Sequence, residues 1–136
     1  MYNKVGLIGV FDGMHQGHIN IIKNASKLGT LFVGVVRDKA VKRVKGNDRP
    51  LFDENHRLAI VENMSSVFRA FLVDDFDASL VQKECKHFKF NIFVRGEDQD
   101  HIKGFDKLDK DITIVTINRT PNISTTDIAK RIKQSE

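Results

Sequence analysis

Gly9-Val10-Phe11-Asp12-Gly13-Met14-His15-Gln16-Gly17-His18 is the stretch that decides the reading of this 136-residue chain. It follows the apolar run Val5-Gly6-Leu7-Ile8 and reads as a strand end turning into a helix. Glycines at 9, 13 and 17 let the backbone approach a ligand closely, and the N–H groups that open a helix point at whatever sits there, which favours phosphate. His15 and His18 stand three apart, so in a first helical turn both imidazoles share one face and aim at one anion. In phosphoryl transfer the protein supplies positioning and charge stabilisation, which a pair of imidazole donors can give. A capping or core histidine and a metal-binding pair are the competing readings. Metal lacks a third local ligand, because Asp12 is the only nearby carboxylate and can instead orient a loop amide or a ring.

Outward from this turn, apolar runs rich in Val, Ile and Phe recur at residues 5–11, 31–36, 68–73, 91–94 and 112–117, with the length and make-up of buried parallel strands. Between them the period becomes helical. Ile19, Ile22, Ala25 and Leu28 repeat at three-residue spacing before Gly29, which predicts an amphipathic helix over 16–28. A second helix begins at Asp53 with Leu58, Val61 and Met64 on one face, and a third covers 77–88. A fourth runs over 124–133, with Ser124 and Asp127 at capping-box spacing. Alternating strands and helices predict one domain over 1–136, a Rossmann-like three-layer α/β/α fold with a five-stranded parallel sheet whose ligands bind beyond the carboxyl ends of the strands. The longer irregular pieces, 38–52 and 96–110, are candidate substrate loops.

Composition narrows the class. A single cysteine, Cys85, allows no internal disulfide, and the apolar stretch near the N-terminus is too short for a signal segment or a membrane span, so a cytoplasmic protein with no membrane partner is expected. The formal charge of +4, concentrated over 37–49 and near Arg131, suits a polyanion. No aromatic residues interleave with a long basic stripe, so small phosphates rather than nucleic acid are the expected partners.

Three further segments carry phosphate chemistry. In residues 42–50, Lys45 precedes a glycine and can reach a triphosphate as a point charge, with Lys42 as a second choice. Near the end of the chain, Arg119-Thr120-Pro121-Asn122-Ile123-Ser124-Thr125-Thr126 places a guanidinium before a hydroxyl-rich helix start, a cradle for β- and γ-phosphates in which Ser124 also caps the helix. At the end of the fourth strand, Val94-Arg95-Gly96-Glu97-Asp98 carries two carboxylates; loop acids are usually solvated, and it is the resemblance to the nucleotidyltransferases that gives them to a nucleotide or to a Mg²⁺ on its phosphates. His56, His87 and His101 match no motif and read as surface or packing residues.

The sequence His15-Gln16-Gly17-His18 resembles the H-x-G-H signature of the nucleotidyltransferase superfamily that includes the cytidylyltransferases. Residues 119–126 resemble the R-T-E-G-I-S-T-T signature of the glycerol-3-phosphate cytidylyltransferases, whereas 42–50 and Val10 resemble the heptose 1-phosphate adenylyltransferases. What the resemblance implies is transfer of CMP from CTP to a phosphorylated small alcohol or polyol, with pyrophosphate released. The alternatives are ATP-dependent adenylylation of a sugar 1-phosphate and a non-catalytic nucleotide-binding module. The resemblance also assigns roles. His15, His18, Lys45 and Arg119 would act on the phosphates. Gly9, Val10, Phe11, Asp12, Gly17, Lys42, Arg95, Gly96, Asp98, Thr120, Ile123, Ser124, Thr125 and Thr126 would line the nucleotide site. Asp38 and Arg57 would line the acceptor site, Mg²⁺ would accompany the triphosphate, and the chain would form a homodimer. Three residues depart from the glycerol-phosphate enzymes: Val10 for threonine, Gln99 for tryptophan and Ser65 for arginine.

Overall fold

The computed structural model describes residues 3–97 and 101–118. In chain order these form β1 (Lys4–Gly9), α1 (Gln16–Ser26), β2 (Thr30–Val36), α2 (Asp38–Lys45), α3 (Glu54–Glu62), β3 (Arg69–Val73), α4 (Ala78–Glu84), β4 (Ile92–Gly96), a 3-10 turn (Phe105–Lys107) and β5 (Thr113–Ile117). The five strands make one sheet in the order β3-β2-β1-β4-β5, with every neighbouring pair parallel. The expected Rossmann-like architecture is the observed one. Chain order runs from β1 through β2 to β3 on one side and resumes with β4 on the other side of β1. The loops after β1 and β4 therefore diverge at the carboxyl ends, the switch point where α/β sheets bind ligands.

Strand alternation builds a core on each face of the sheet. Val5, Leu7, Leu31, Val33, Val35 and Val94 pack with Ile22 and Ala25 of α1 and Val61 of α3. On the opposite face, Ile8, Phe32, Val36 and Phe93 pack with Ala40 and Val41 of α2 and Ala78 and Val81 of α4. Each Val, Leu, Ile or Phe among them contributes about 1.5–3 kcal/mol when withdrawn from water, so the two layers dominate the favourable side of folding. Gly6 is required by one close approach, since a Cβ there would lie 2.5 Å from the Phe93 ring.

Three differences from the sequence reading matter for the site. β1 ends at Gly9 rather than continuing to 11, because Phe11 takes a positive φ of 54° and folds its ring back over Gly9, where an added Cβ would be 2.9 Å from it. Residues 38–45, expected within an irregular loop, form α2; only Ala40 and Val41 face the core, and the charged residues around them hide the helical period. The segment expected as a helix over 77–88 is helical only over Ala78–Glu84, with the Asp77 side chain accepting from the Ser79 N–H as its cap. The expected helix over 124–133 lies outside the described residues.

Candidate active site

The turn after β1 is a reciprocal cap made from two histidines. His15 is the N-cap of α1 in extended backbone conformation, and its Nδ1 accepts the Gly17 N–H at 3.0 Å. The His15 N–H in return donates to His18 Nδ1 at 3.2 Å, which closes a capping box usually built from a hydroxyl and a carboxylate. The two rings stack with centroids 3.8 Å apart and planes 19° apart, and Phe11 meets His18 edge-on at 5.7 Å. Since both Nδ1 atoms accept from backbone, a neutral ring carries its proton on Nε2. The capping reading of the pair is the one observed, and it uses one nitrogen, Nδ1, of each ring. Burial lowers the His18 pKa to about 3, helped by the neighbouring His15 and Lys45 charges. His18 is therefore a neutral donor at physiological pH.

Lys45, the last residue of α2, completes this cluster. Its pKa is lowered, first by burial and then by Arg49 and Arg57, against the opposing pull of Asp12. An ammonium held half-buried among cations is stabilised by an arriving anion, which is the electrostatic condition of a phosphate subsite.

Two buried charges hold the loop that runs beneath this cluster. Asp12 is 1% exposed, and its Oδ2 and Oδ1 accept the N–H groups of Leu51 at 2.6 Å and Phe52 at 2.9 Å, with Arg49 Nε at 3.9 Å. Arg57 is 0% exposed and donates to the carbonyls of Phe52 (2.9 Å), Val10 (2.9 Å) and Val36 (2.7 Å) and to Asp38 Oδ1 (2.6 Å). Arg57 thus fastens the carboxyl ends of β1 and β2 to the start of α3. The Asp38 N–H in turn donates to Glu54 Oε1 at 3.0 Å, and Arg37 bridges Glu54 and Asp74.

The structure brings together Gly9, Val10, Phe11, Asp12, His15, Gly17, His18 and Lys45, all at or next to the carboxyl end of β1. Lys42 is exposed on α2. Asp38 and Arg57, expected in the acceptor site, pair with each other, and every donor of Arg57 described above is spent on the protein. Arg95 and Gly96 end β4, where the Arg95 guanidinium lies 5.0 Å from the Phe105 ring centre. Asp98, Arg119, Thr120, Ile123, Ser124, Thr125 and Thr126 lie outside the described residues. Sequence reasoning missed Arg49 and Phe52 as parts of the site. The only local signal for either was their place in the candidate substrate loop over 38–52. Among the described residues no group of three His, Cys, Asp or Glu side chains could hold a metal ion, and no helix is long and apolar enough to cross a membrane.

Comparisons with known proteins show the family to which the chain belongs. A family model described as cytidylyltransferase-like matches residues 7–131. Bifunctional protein HldE of Actinobacillus pleuropneumoniae serotype 5b is 33% identical over 132 residues, covering 94% of this chain and 27% of that protein. This chain therefore spans about a quarter of the length of the HldE proteins it matches. FAD synthase of Thermoplasma volcanium is 38% identical over 96 residues, 71% of this chain and 65% of that protein. The crystal structure of the lipopolysaccharide core biosynthesis protein from Thermoplasma volcanium superposes with a TM-score of 0.65 at 35% identity, covering 88% of this chain and 98% of that one.

Proposed function

We propose that this chain, which belongs to the cytidylyltransferase-like family of nucleotidyltransferases, joins a phosphorylated small molecule to the nucleotidyl group of a nucleoside triphosphate. A phosphate oxygen of the acceptor attacks the α-phosphorus, the bond from that phosphorus to the bridging oxygen breaks, and pyrophosphate leaves with the electron pair. The observation that carries this reading is the stacked His15–His18 pair, whose Nδ1 atoms are both committed to the backbone; both Nε2–H edges would then serve one ligand. The second pKa of a phosphate monoester is about 6, so the attacking group is already ionised and no general base is required. The protein's work is to hold charge as it shifts toward the leaving oxygens. His15 and His18 would donate to the α-phosphate, Lys45 would meet the triphosphate, and Arg119 would grip its distal end.

Mg²⁺ would neutralise charge on the triphosphate. Asp12, the one carboxylate in the described part of the turn, is engaged by loop amides, so the described residues form no side-chain cage for the ion. It would be carried by phosphate oxygens, with Asp98 as the protein's candidate contact.

For the nucleotide, ATP is the first reading. Val10 and residues 42–50, both within the described site, follow the adenylyltransferase pattern, and one relative is by name an FAD synthase, whose product contains an adenylyl group. CTP is the second reading, favoured by the intact R-T and I-S-T-T elements of residues 119–126. Pyrophosphate release measured with each of the four nucleoside triphosphates against a panel of phosphate monoesters tests both. Turnover with ATP alone supports the first and with CTP alone the second. Inertness in every combination removes the catalytic reading.

A further inference from the structure

Phe52 is a surface residue fixed in place like a core one. Of its surface 43% is exposed, yet its N–H donates to Asp12 and its carbonyl accepts from Arg57, each at 2.9 Å. Both partners are buried charges. Burying such groups is unfavourable unless polar partners replace the lost water, and here those partners include both backbone polar groups of one exposed aromatic residue. His56 holds the ring as well, stacked at 4.6 Å and 12° from parallel. Leu51, pinned through the other Asp12 oxygen and 38% exposed, continues the apolar step.

This step adjoins the reaction centre. A Cβ on Gly13 would meet the Phe52 ring at 3.8 Å and Leu51 at 4.0 Å, which places both against the turn that leads into His15. Arg57 ties the same segment to the Val36 carbonyl at the end of β2. In the strand order β3-β2-β1-β4-β5, that is the opposite side of β1 from β4, and the resemblance to the nucleotidyltransferases gives Arg95 and Gly96, at the end of β4, to the nucleotide. The step therefore faces the half of the cleft left to the acceptor. Rigid aromatic rings recognise partners through flat apolar faces, at little cost in conformational entropy.

We infer that Phe52, backed by His56, is the platform on which the non-phosphate part of the acceptor rests. The acceptor is then a ring-bearing phosphate monoester with a flat apolar face, not an open-chain polyol phosphate. This rests on the nucleotidyl-transfer reading, and the two fail in different ways. The test compares wild type, Phe52→Ala and Phe52→Tyr in steady-state pyrophosphate release. The acceptors are a pyranose 1-phosphate, a planar heteroaromatic monoester such as flavin mononucleotide, and glycerol 3-phosphate. The expected result is preference for one ring-bearing acceptor, whose identity separates a sugar face from an aromatic one. Phe52→Ala then raises the KM for that acceptor about tenfold while the nucleotide KM stays within about twofold, and Phe52→Tyr restores the wild-type value. An unchanged acceptor KM in Phe52→Ala, or preference for glycerol 3-phosphate, overturns the platform and leaves nucleotidyl transfer standing. No release with any acceptor overturns both.

Discussion

Replacing Arg57 by methionine tests whether one buried guanidinium holds the cleft together. The side chain is 0% exposed and serves three carbonyls, those of Val10, Val36 and Phe52, together with the Asp38 carboxylate. Methionine fills similar volume but returns none of these bonds. Each carbonyl left without its donor costs about 1 kcal/mol, and the partly buried Asp38, stripped of its charge partner, adds about as much again or more. A net loss of about 3–5 kcal/mol follows. For a chain of this length about 3.5 °C is lost per kcal/mol, so the midpoint of thermal unfolding should fall by about 10–17 °C. Lysine, a single ammonium with three donors and no planar fork, cannot serve all four acceptors and should recover only part of the loss. Urea denaturation followed by circular dichroism gives the free energy directly. A loss below about 1 kcal/mol for Arg57→Met would refute the hub, because the carbonyls would then have found equivalent partners without it.

The histidine cap separates structure from chemistry. His15→Asn keeps an acceptor for the Gly17 N–H but loses the Nε2 donor, so stability should stay within about 1 kcal/mol while kcat falls by about 10²–10³-fold; an active His15→Asn enzyme would remove His15 from the reaction. Acid should destabilise the fold through His18. Its pKa of about 3 in the folded protein lies below the ordinary histidine value of 6.5, so between those values the unfolded chain binds the extra proton and stability falls as pH drops. At pH 5 this is worth about 2 kcal/mol, and the slope of stability against pH should flatten in His18→Asn. Lys45→Met should weaken triphosphate binding by about tenfold or more and raise the His18 pKa, because Lys45 is one of the charges that depress it. Isothermal titration with a non-hydrolysable nucleotide and a ¹H–¹⁵N pH titration of the ring read these two effects, and an unmoved His18 would detach Lys45 from the cluster.

The sheet was legible because burial on both faces leaves unbroken apolar runs, and the observed strands β1 to β5 fall within or beside the stretches read from residues 5–11, 31–36, 68–73, 91–94 and 112–117. Strand β1 overran by two residues because Val10 and Phe11 are apolar too, and nothing local shows that Phe11 takes a positive φ. Helix α2 was hidden because Asp38–Lys45 buries only Ala40 and Val41 among charged neighbours. Period reading detects faces, and that face is two residues wide.

What the sequence determined by itself was local: the turn of glycines, the three-residue spacing that puts His15 and His18 on one face, and the alternation that makes a parallel sheet. These follow from backbone geometry over a few residues. The roles of Asp12 and Arg57 were decided only by the tertiary structure. Asp12 reaches amides 39 and 40 residues away, and Arg57 reaches a carbonyl 47 residues away. A carboxylate beside the histidines and an arginine in α3 both resemble ligand contacts in the linear chain. Parallel strands bring their carboxyl ends together, and the backbone groups gathered there need partners once they leave water, so both charges are drawn inward to hold the loop beneath the site.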